Sequence, residues 1–229
     1  MAIEATGVYW KPVWHVLEVL EGRFQQILAN AVYIKGVPGR KSDMNDATWI
    51  ADLLAHGLIR SSFVPPAPIQ ELRDLTRTRR QLVHEIARHV LRIQKTLEDA
   101  NLKLTQVMSD IVGVSGRAIL NALVAGETDP DRLVDLTRGR LKASRTDLLD
   151  ALHGRVTDHH RFMIKLHLSQ IDALETAVAT IETRIGDALG PFRAAVSLLT
   201  TMQGISETRL ASLVRQHRRR VQSQKSAST

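Results

Sequence analysis

The stretch LVHEIARHVLRIQKTLEDANLKL, residues 82–104, decides the architecture. Its apolar positions are Leu82, Ile86, Val90, Ile93, Leu97, Ala100 and Leu104, separated by steps of 4, 4, 3, 4, 3 and 4. That alternation is close to a heptad seam, the pattern of a helix that packs along one side against another helix. Carried back through Leu75 and Leu72 to Ile69, it predicts a helix of about 35 residues, long for a globular protein and typical of a coiled coil. A second series, Ile164, Leu168, Ile171, Leu174, Val178, Ile181, Ile185 and Ala188, has the same kind of spacing. Two such seams predict an antiparallel helical hairpin, or a dimer built from it. Between them Gly113 and Gly116 break the pattern, Arg117 to Ala125 predicts a shorter helix, and Asp129-Pro130 opens another. Gly190-Pro191 ends the second long helix, and 198–214 predicts helix, a turn at Gln203-Gly204, and helix.

Upstream the pattern is different. Residues 1–6 predict a short strand ending at Gly7, and Tyr9 to Glu18 a helix with Trp10, Val13, Trp14 and Leu17 on one face. Phe24 to Ile34 is rich in Ile, Val and Tyr and predicts a strand. Gly36 to Lys41 predicts a turn, and Ser42 or Asp43 caps a helix running to Leu54. Pro65, Pro66 and Pro68 form a stiff connector and the clearest boundary in the chain. The expected fold class is α/β for 1–64, then mostly α. The later segments are a long coiled-coil helix at 65–110, small helices at 111–158, a second coiled-coil helix at 159–190, a further segment at 191–214, and a basic disordered tail at 215–229.

Composition narrows the classes. The chain has 229 residues, 44% hydrophobic and 24% charged, a balance that excludes wholesale disorder. It has no Cys, which excludes disulfides and thiolate metal sites and makes a cytoplasmic location the default. No apolar run approaches the roughly 20 residues of a membrane helix. Glu4, Lys11 and His15 interrupt the first apolar stretch, so it is not a signal peptide. The net charge is +7, but Arg215, Arg218, Arg219, Arg220 and Lys225 supply five of those charges and leave +2 for the rest. Where the arginines sit therefore says more than the total.

Two constellations could carry chemistry. Asp43 and Asp46 stand i, i+3 in the first turn of a helix, so both carboxylates point to one side, and Glu4 ends a strand. Three such carboxylates can hold divalent cations through hard oxygen ligands; by spacing alone, helix capping accounts for the two aspartates better. The second is a stripe: Arg73, Arg77, Arg80, His84, Arg88, Arg92 and Lys95 step by 4, 3, 4, 4, 4 and 3 along the first long helix, opposite its apolar seam. Its length of about 30 Å matches a nucleic-acid backbone, and the same pattern equally fits a solvated coiled-coil face. Trp10, Trp14 and Trp49 fit a core better than a stacking platform. His159 and His160 are adjacent and do not share a helix face, which argues against a metal site.

The segments EATGVYWKPV (4–13) and VPGRKSDMNDA (37–47) resemble those that carry the catalytic acids of the DEDD transposases of insertion-sequence family one hundred and ten. LLAHGLIRSSFVPP (53–66), ELRDLTR (71–77), Arg92 to Lys95 and Gly113 to Arg117 continue the similarity, over roughly residues 2–214. The resemblance implies an N-terminal ribonuclease-H-like (RuvC-like) domain whose four acids bind two Mg²⁺, then a coiled coil, then a C-terminal transposase domain that supplies a Ser nucleophile. It implies Mg²⁺-dependent DNA strand cleavage and transfer, a structured non-coding RNA as a further partner, and assembly as an oligomer through the coiled coil. Carried over by position, Glu4, Asp43 and Asp46 are the second, third and fourth acids. Arg73, Arg77, Arg80, Arg88, Arg92 and Lys95 lie on the coiled-coil helix as its nucleic-acid-binding side chains. The family's first Asp lies upstream of Glu4, Gln203 stands where the family usually has Pro, and the similarity stops near Val214. The expectation is a copy shortened at both ends and inactive, as a frameshift would leave it, with Ser223, Ser226 and Ser228 outside the nucleophile's role. The rival expectation is a non-catalytic nucleic-acid-binding or dimerising helical fragment.

Overall fold

The computed structural model describes residues 1–20, 25–36, 46–138 and 143–201. The chain divides at Ala67/Pro68 into two compact units.

The first unit holds β1 (Ala2–Glu4), α1 (Trp10–Glu18), β2 (Ile27–Ala29), α2 (Ala31–Gly36) and α3 (Asp46–Ala55). The two strands pair in parallel, Ala2 with Ile27, Ile3 with Leu28 and Glu4 with Ala29. A parallel pair cannot be closed by a tight turn, so the chain between them carries α1 as a crossover. Backbone bonds extend the ladder at both ends, Ile27 N–H to Met1 O at 2.9 Å and Ala5 N–H to Ala29 O at 2.8 Å. On the other edge of β2, Ala29 makes an antiparallel bridge to Ser61, and Ser62 N–H donates to Leu28 O at 2.6 Å. Ala29, Ile34 and Leu53 form the small core, with Trp49, Ile50 and Ile59 packed on it. Trp14 is buried and stands edge-on to Trp10, while Val13, expected on the same face, is exposed.

The strand expected over Phe24 to Ile34 is a correction. Only Ile27–Ala29 is extended, because Asn30 starts a helix: its side-chain Oδ1 accepts from Val32 N–H at 2.9 Å, and its carbonyl from Ile34 N–H at 3.1 Å. Asx capping outweighs the β preference of Val32, Tyr33 and Ile34. The turn expected at 37–41 and the cap at Ser42 or Asp43 lie outside the described residues.

The second unit is a pair of long antiparallel helices, α4 (Ala67–Asp99) and α9 (Asp158–Ala188). Their cross-contacts run in opposite sequence order, Arg79 to Glu182, His89 to His167, and Asp99 to His160. Between them lie α5 (Leu104–Val107), α6 (Val114–Ala125), α7 (Pro130–Asp135) and α8 (Arg145–Ala151). A single 3-10 turn, Gly190–Phe192, and α10 (Arg193–Thr200) follow α9. The buried apolar positions of α4 and α9 fall on the two apolar series, and the core gathers at the two ends of the pair. At one end Ile69 and Leu72 meet Ile185, Leu189 and Val196. At the other, Ile93 and Leu97 meet Ile164, Leu168 and Ile171, and the small helices add Leu102, Ile119, Leu120, Leu123, Leu133 and Leu148. Each fully buried Leu or Ile contributes about 1.5–3 kcal/mol.

The first long helix ends at Asp99, not at Leu104. Asn101 takes φ 60°, its N–H donates to Glu98 O at 3.0 Å, and Leu102 N–H reaches back to Leu97 O at 2.8 Å. This is a Schellman close with Asn in the left-handed position, sealed by the buried Leu97 and Leu102. Leu104 keeps its place in the core from the next helix. Helix α8 falls in the segment expected to be helical, with no start named for it. Ser144 and Asp147 form a capping box, in which Asp147 N–H donates to Ser144 Oγ at 3.1 Å and Ser144 N–H to Asp147 Oδ2 at 3.0 Å. Near the chain's end the helix already runs from Arg193, rather than beginning at 198. The turn at Gln203-Gly204 and the helix after it lie outside the described residues.

Two glycines are fixed by close approach. A Cβ on Gly116 would lie 2.2 Å from Ile111 O, and one on Gly154 would lie 2.4 Å from Ala100 O. Gly186, inside α9, has nothing within 4 Å of that position. Gly116→Ala and Gly154→Ala are therefore expected to destabilise the second unit by about 1–3 kcal/mol. Gly186→Ala is expected to stabilise it by about 0.5–1 kcal/mol. Urea unfolding of the three variants checks both signs.

Candidate functional site

Glu4 is the last residue of β1, half-buried, at the carboxyl end of a parallel pair. That end is where open α/β sheets place their ligands. Its Oε1 accepts from Thr6 Oγ1 at 3.2 Å, and Thr6 N–H donates to the Glu4 carbonyl at 3.0 Å, so a tight turn at Thr6-Gly7 orients it. Gly7 has φ 54°, a left-handed value that favours glycine after the strand. Helix α3 lies alongside β1, and Asp46 is its first residue. The Asp46 side chain and all of Asp43 lie outside what the structure describes. Among the described residues there is no cluster of three or more His, Cys, Asp or Glu that could hold a metal.

The cationic stripe is displayed on α4. Arg77, Arg80, His84, Arg88, Arg92 and Lys95 are all exposed, and Arg73 is half-buried. Among the described residues Arg77, Arg80 and Lys95 make no ion pair. Arg88 donates to Glu85 Oε1 at 2.6 Å, and Arg92 Nη1 lies 3.5 Å from His89 Nε2. The remaining acids near the C-terminal end of α4 are engaged elsewhere. Asp99 Oδ2 meets His160 Nε2 at 2.9 Å, and Glu98 pairs with Lys103. His160 is buried and does structural work: its Nδ1 accepts from Thr157 N–H at 3.1 Å in the cap of α9. His159 is exposed.

One arginine of α4 is not in the stripe. Arg79 turns to α9, with Nε at 2.7 Å and Nη2 at 2.6 Å from Glu182 Oε1. Its signal in the sequence is its register, four residues after Leu75 and three before Leu82. Sequence reasoning also missed the His89–His167 contact, whose Nδ1 atoms lie 3.2 Å apart in the seam. His167 is buried, and burial first, then the neighbouring His89 and Arg92, lowers its pKa from the ordinary imidazole value.

Residues 1–102 match the family model of the DEDD transposases of IS110 insertion sequences, described as a transposase. Residues 1–102 are thus similar to IS110-family transposases, over a span that takes in Met1–Ala67 of the first unit and all of α4. The similarity expected to extend to 214 is found over this shorter span. No curated protein and no solved structure matches the chain. No helix among the described residues is long and apolar enough to cross a membrane.

The exposure of the stripe separates its role from that of Arg79. Arg77→Glu with Arg80→Glu is expected to leave the unfolding free energy within about 0.5 kcal/mol of the parent. Arg79→Ala is expected to lower it by up to about 1 kcal/mol, the range for a partly exposed pair. Thermal melts followed by circular dichroism distinguish the two.

Proposed function

We propose that residues 1–102 serve DNA transposition as the nucleic-acid-handling part of a DEDD transposase. In this reading the first unit belongs to a RuvC-like domain, and Glu4, Asp43 and Asp46 contribute carboxylates to a Mg²⁺ site. Arg73, Arg77, Arg80, Arg88, Arg92 and Lys95 bind the DNA backbone from α4. The observation that carries the reading is the family match, whose span contains every one of these residues. Glu4 suits a hard cation: it is a half-buried carboxylate at a strand's carboxyl end, with the helix that begins at Asp46 beside that strand. When bound, Mg²⁺ supplies an activated water or hydroxyl and stabilises charge on the transferring phosphoryl group.

The chain's own residues do the remaining work. The guanidinium groups of the stripe neutralise phosphates and release their counterions, which sets affinity without reading sequence. The seam between α4 and α9 holds that stripe straight over its length. The same hairpin, as a coiled coil, supports self-association, and a structured RNA is a second polyanion that the stripe can accept. The reading places the protein in the cytoplasm with the nucleic acid it acts on.

A second reading rests on the division of the chain: the stripe belongs to the second unit and the acids to the first. The hairpin would then be a nucleic-acid-binding or dimerising element that works without metal. Two titrations test both readings. Fluorescence anisotropy with duplex DNA should show affinity that falls with salt, with a log–log slope of about 0.9 per phosphate contacted. The triple variant Arg77→Glu, Arg80→Glu, Arg88→Glu should weaken binding at least tenfold and flatten that slope. Calorimetric titration with Mg²⁺ should show binding that Asp43→Ala or Asp46→Ala abolishes while metal-free DNA binding is retained. DNA binding without any Mg²⁺ uptake favours the second reading, and the absence of both defeats the two together.

A further inference from the structure

At the seam of the hairpin two histidines meet, and an exposed arginine of α4 stands beside them. Arg92 Nη1 lies 3.5 Å from His89 Nε2, and His89 Nδ1 lies 3.2 Å from His167 Nδ1. The two rings are edge-on, with centroids 5.2 Å apart. His167 comes from α9 and is buried; His89 and Arg92 come from α4. Two ring nitrogens at that separation share one proton, so one Nδ1 donates and the other accepts.

Arg92 decides which. A guanidinium can only donate, so the His89 Nε2 that faces it must be bare. His89 therefore carries its proton on Nδ1 and donates it to the bare Nδ1 of His167. His167 in turn is protonated on Nε2. With both rings neutral, each tautomer is dictated by its neighbour.

A further proton breaks the order of this row. On His167 Nδ1 it faces the His89 N–H or drives the His89 proton to Nε2, and on His89 Nε2 it faces Arg92. Either way two donors meet, and a second positive charge arises beside the guanidinium. Nor do neighbouring groups supply a compensating carboxylate. On α4 the charged residues within one turn of His89 are Glu85, Arg88 and Arg92, and Glu85 is held by Arg88 at 2.6 Å. On α9 the only charged residue within one turn of His167 is Lys165, which is exposed. Helix α6 packs on α9, and its Arg117 engages the next acid along, Asp172.

We propose that Arg92, His89 and His167 form an acid-sensitive latch across the helical hairpin, closed while both imidazoles are neutral and forced apart when either takes up a proton. The direction follows from linkage. In the unfolded chain the His167 imidazole takes up its proton near the ordinary value, while burial in the folded seam holds its pKa lower. Stability is therefore full above the ordinary value and is lost as pH falls from it through the lower folded value. Release also frees Arg92, an exposed member of the α4 stripe, from its contact with His89. The latch stands independently of any nucleic-acid role.

Imidazole nitrogen NMR on the intact chain is the direct test. At about pH 7.5, His89 should be the Nδ1–H tautomer and His167 the Nε2–H tautomer, with His167 titrating below the ordinary imidazole value. His167 titrating at or above that value, or His89 in the other tautomer, overturns the proposal. The second test is the urea midpoint at about pH 7.5 and about pH 5.5. The parent midpoint should fall on acidification, and that of His167→Leu should fall less than half as far. An equal fall in both overturns it. If His167→Leu does not fold, the tautomers and titration of the parent decide alone.

Discussion

Burial along a single line governs the second unit. Ile93, Leu97, Ile164 and Ile171 are all at most 1% exposed, and they come from two helices far apart in the sequence. Neither helix could keep its length alone, because α4 is polar around most of its circumference and isolated helices are marginal in water. The apolar line fixes which side of each helix is inward. It thereby also fixes what is displayed outward, including the cations of α4. Surface chemistry here is a consequence of core geometry rather than a separate design.

How much of this could be seen in the residues depends on the kind of signal. Both seams were legible because their spacing repeats for many turns, and the buried apolar positions of α4 and α9 follow it. What was missed turns on single side chains. Asn30 starts a helix where Val32, Tyr33 and Ile34 suggest a strand, and Asn101 closes a helix that the apolar spacing would carry on to Leu104. Asn is common in loops of all kinds, so neither capping role stands out from composition. Ser144 and Asp147 form a capping box that went unread, with Asp in the third position rather than Glu.

The candidate site divides in the same way. The stripe was visible as a period, and its exposure follows from the seam opposite it. The acids were visible only through the similarity of the segments around them, since two aspartates in a helix's first turn have an ordinary capping role. Polar groups inside the seam were the least legible. Arg79, His89 and His167 sit at seam register yet carry polar heads, and only the facing helix explains why each is tolerated: Glu182 for Arg79, and the two imidazoles for each other.

The small helices 104–151 leave and rejoin the hairpin through a narrow neck. Arg155 N–H donates to Ala100 O at 2.9 Å, Lys103 N–H donates to Ala151 O at 2.8 Å, and Gly154 lies against the Ala100 carbonyl. The departing and returning strands of chain are thus already in contact, as they would be if the hairpin were closed by a short loop. The entropy of closing such a loop grows only slowly with its length. The neck thus closes the hairpin by itself, and the small helices are tied to the rod by side chains, through Ile119, Leu120 and Leu123 in the shared core, rather than by the path of the chain.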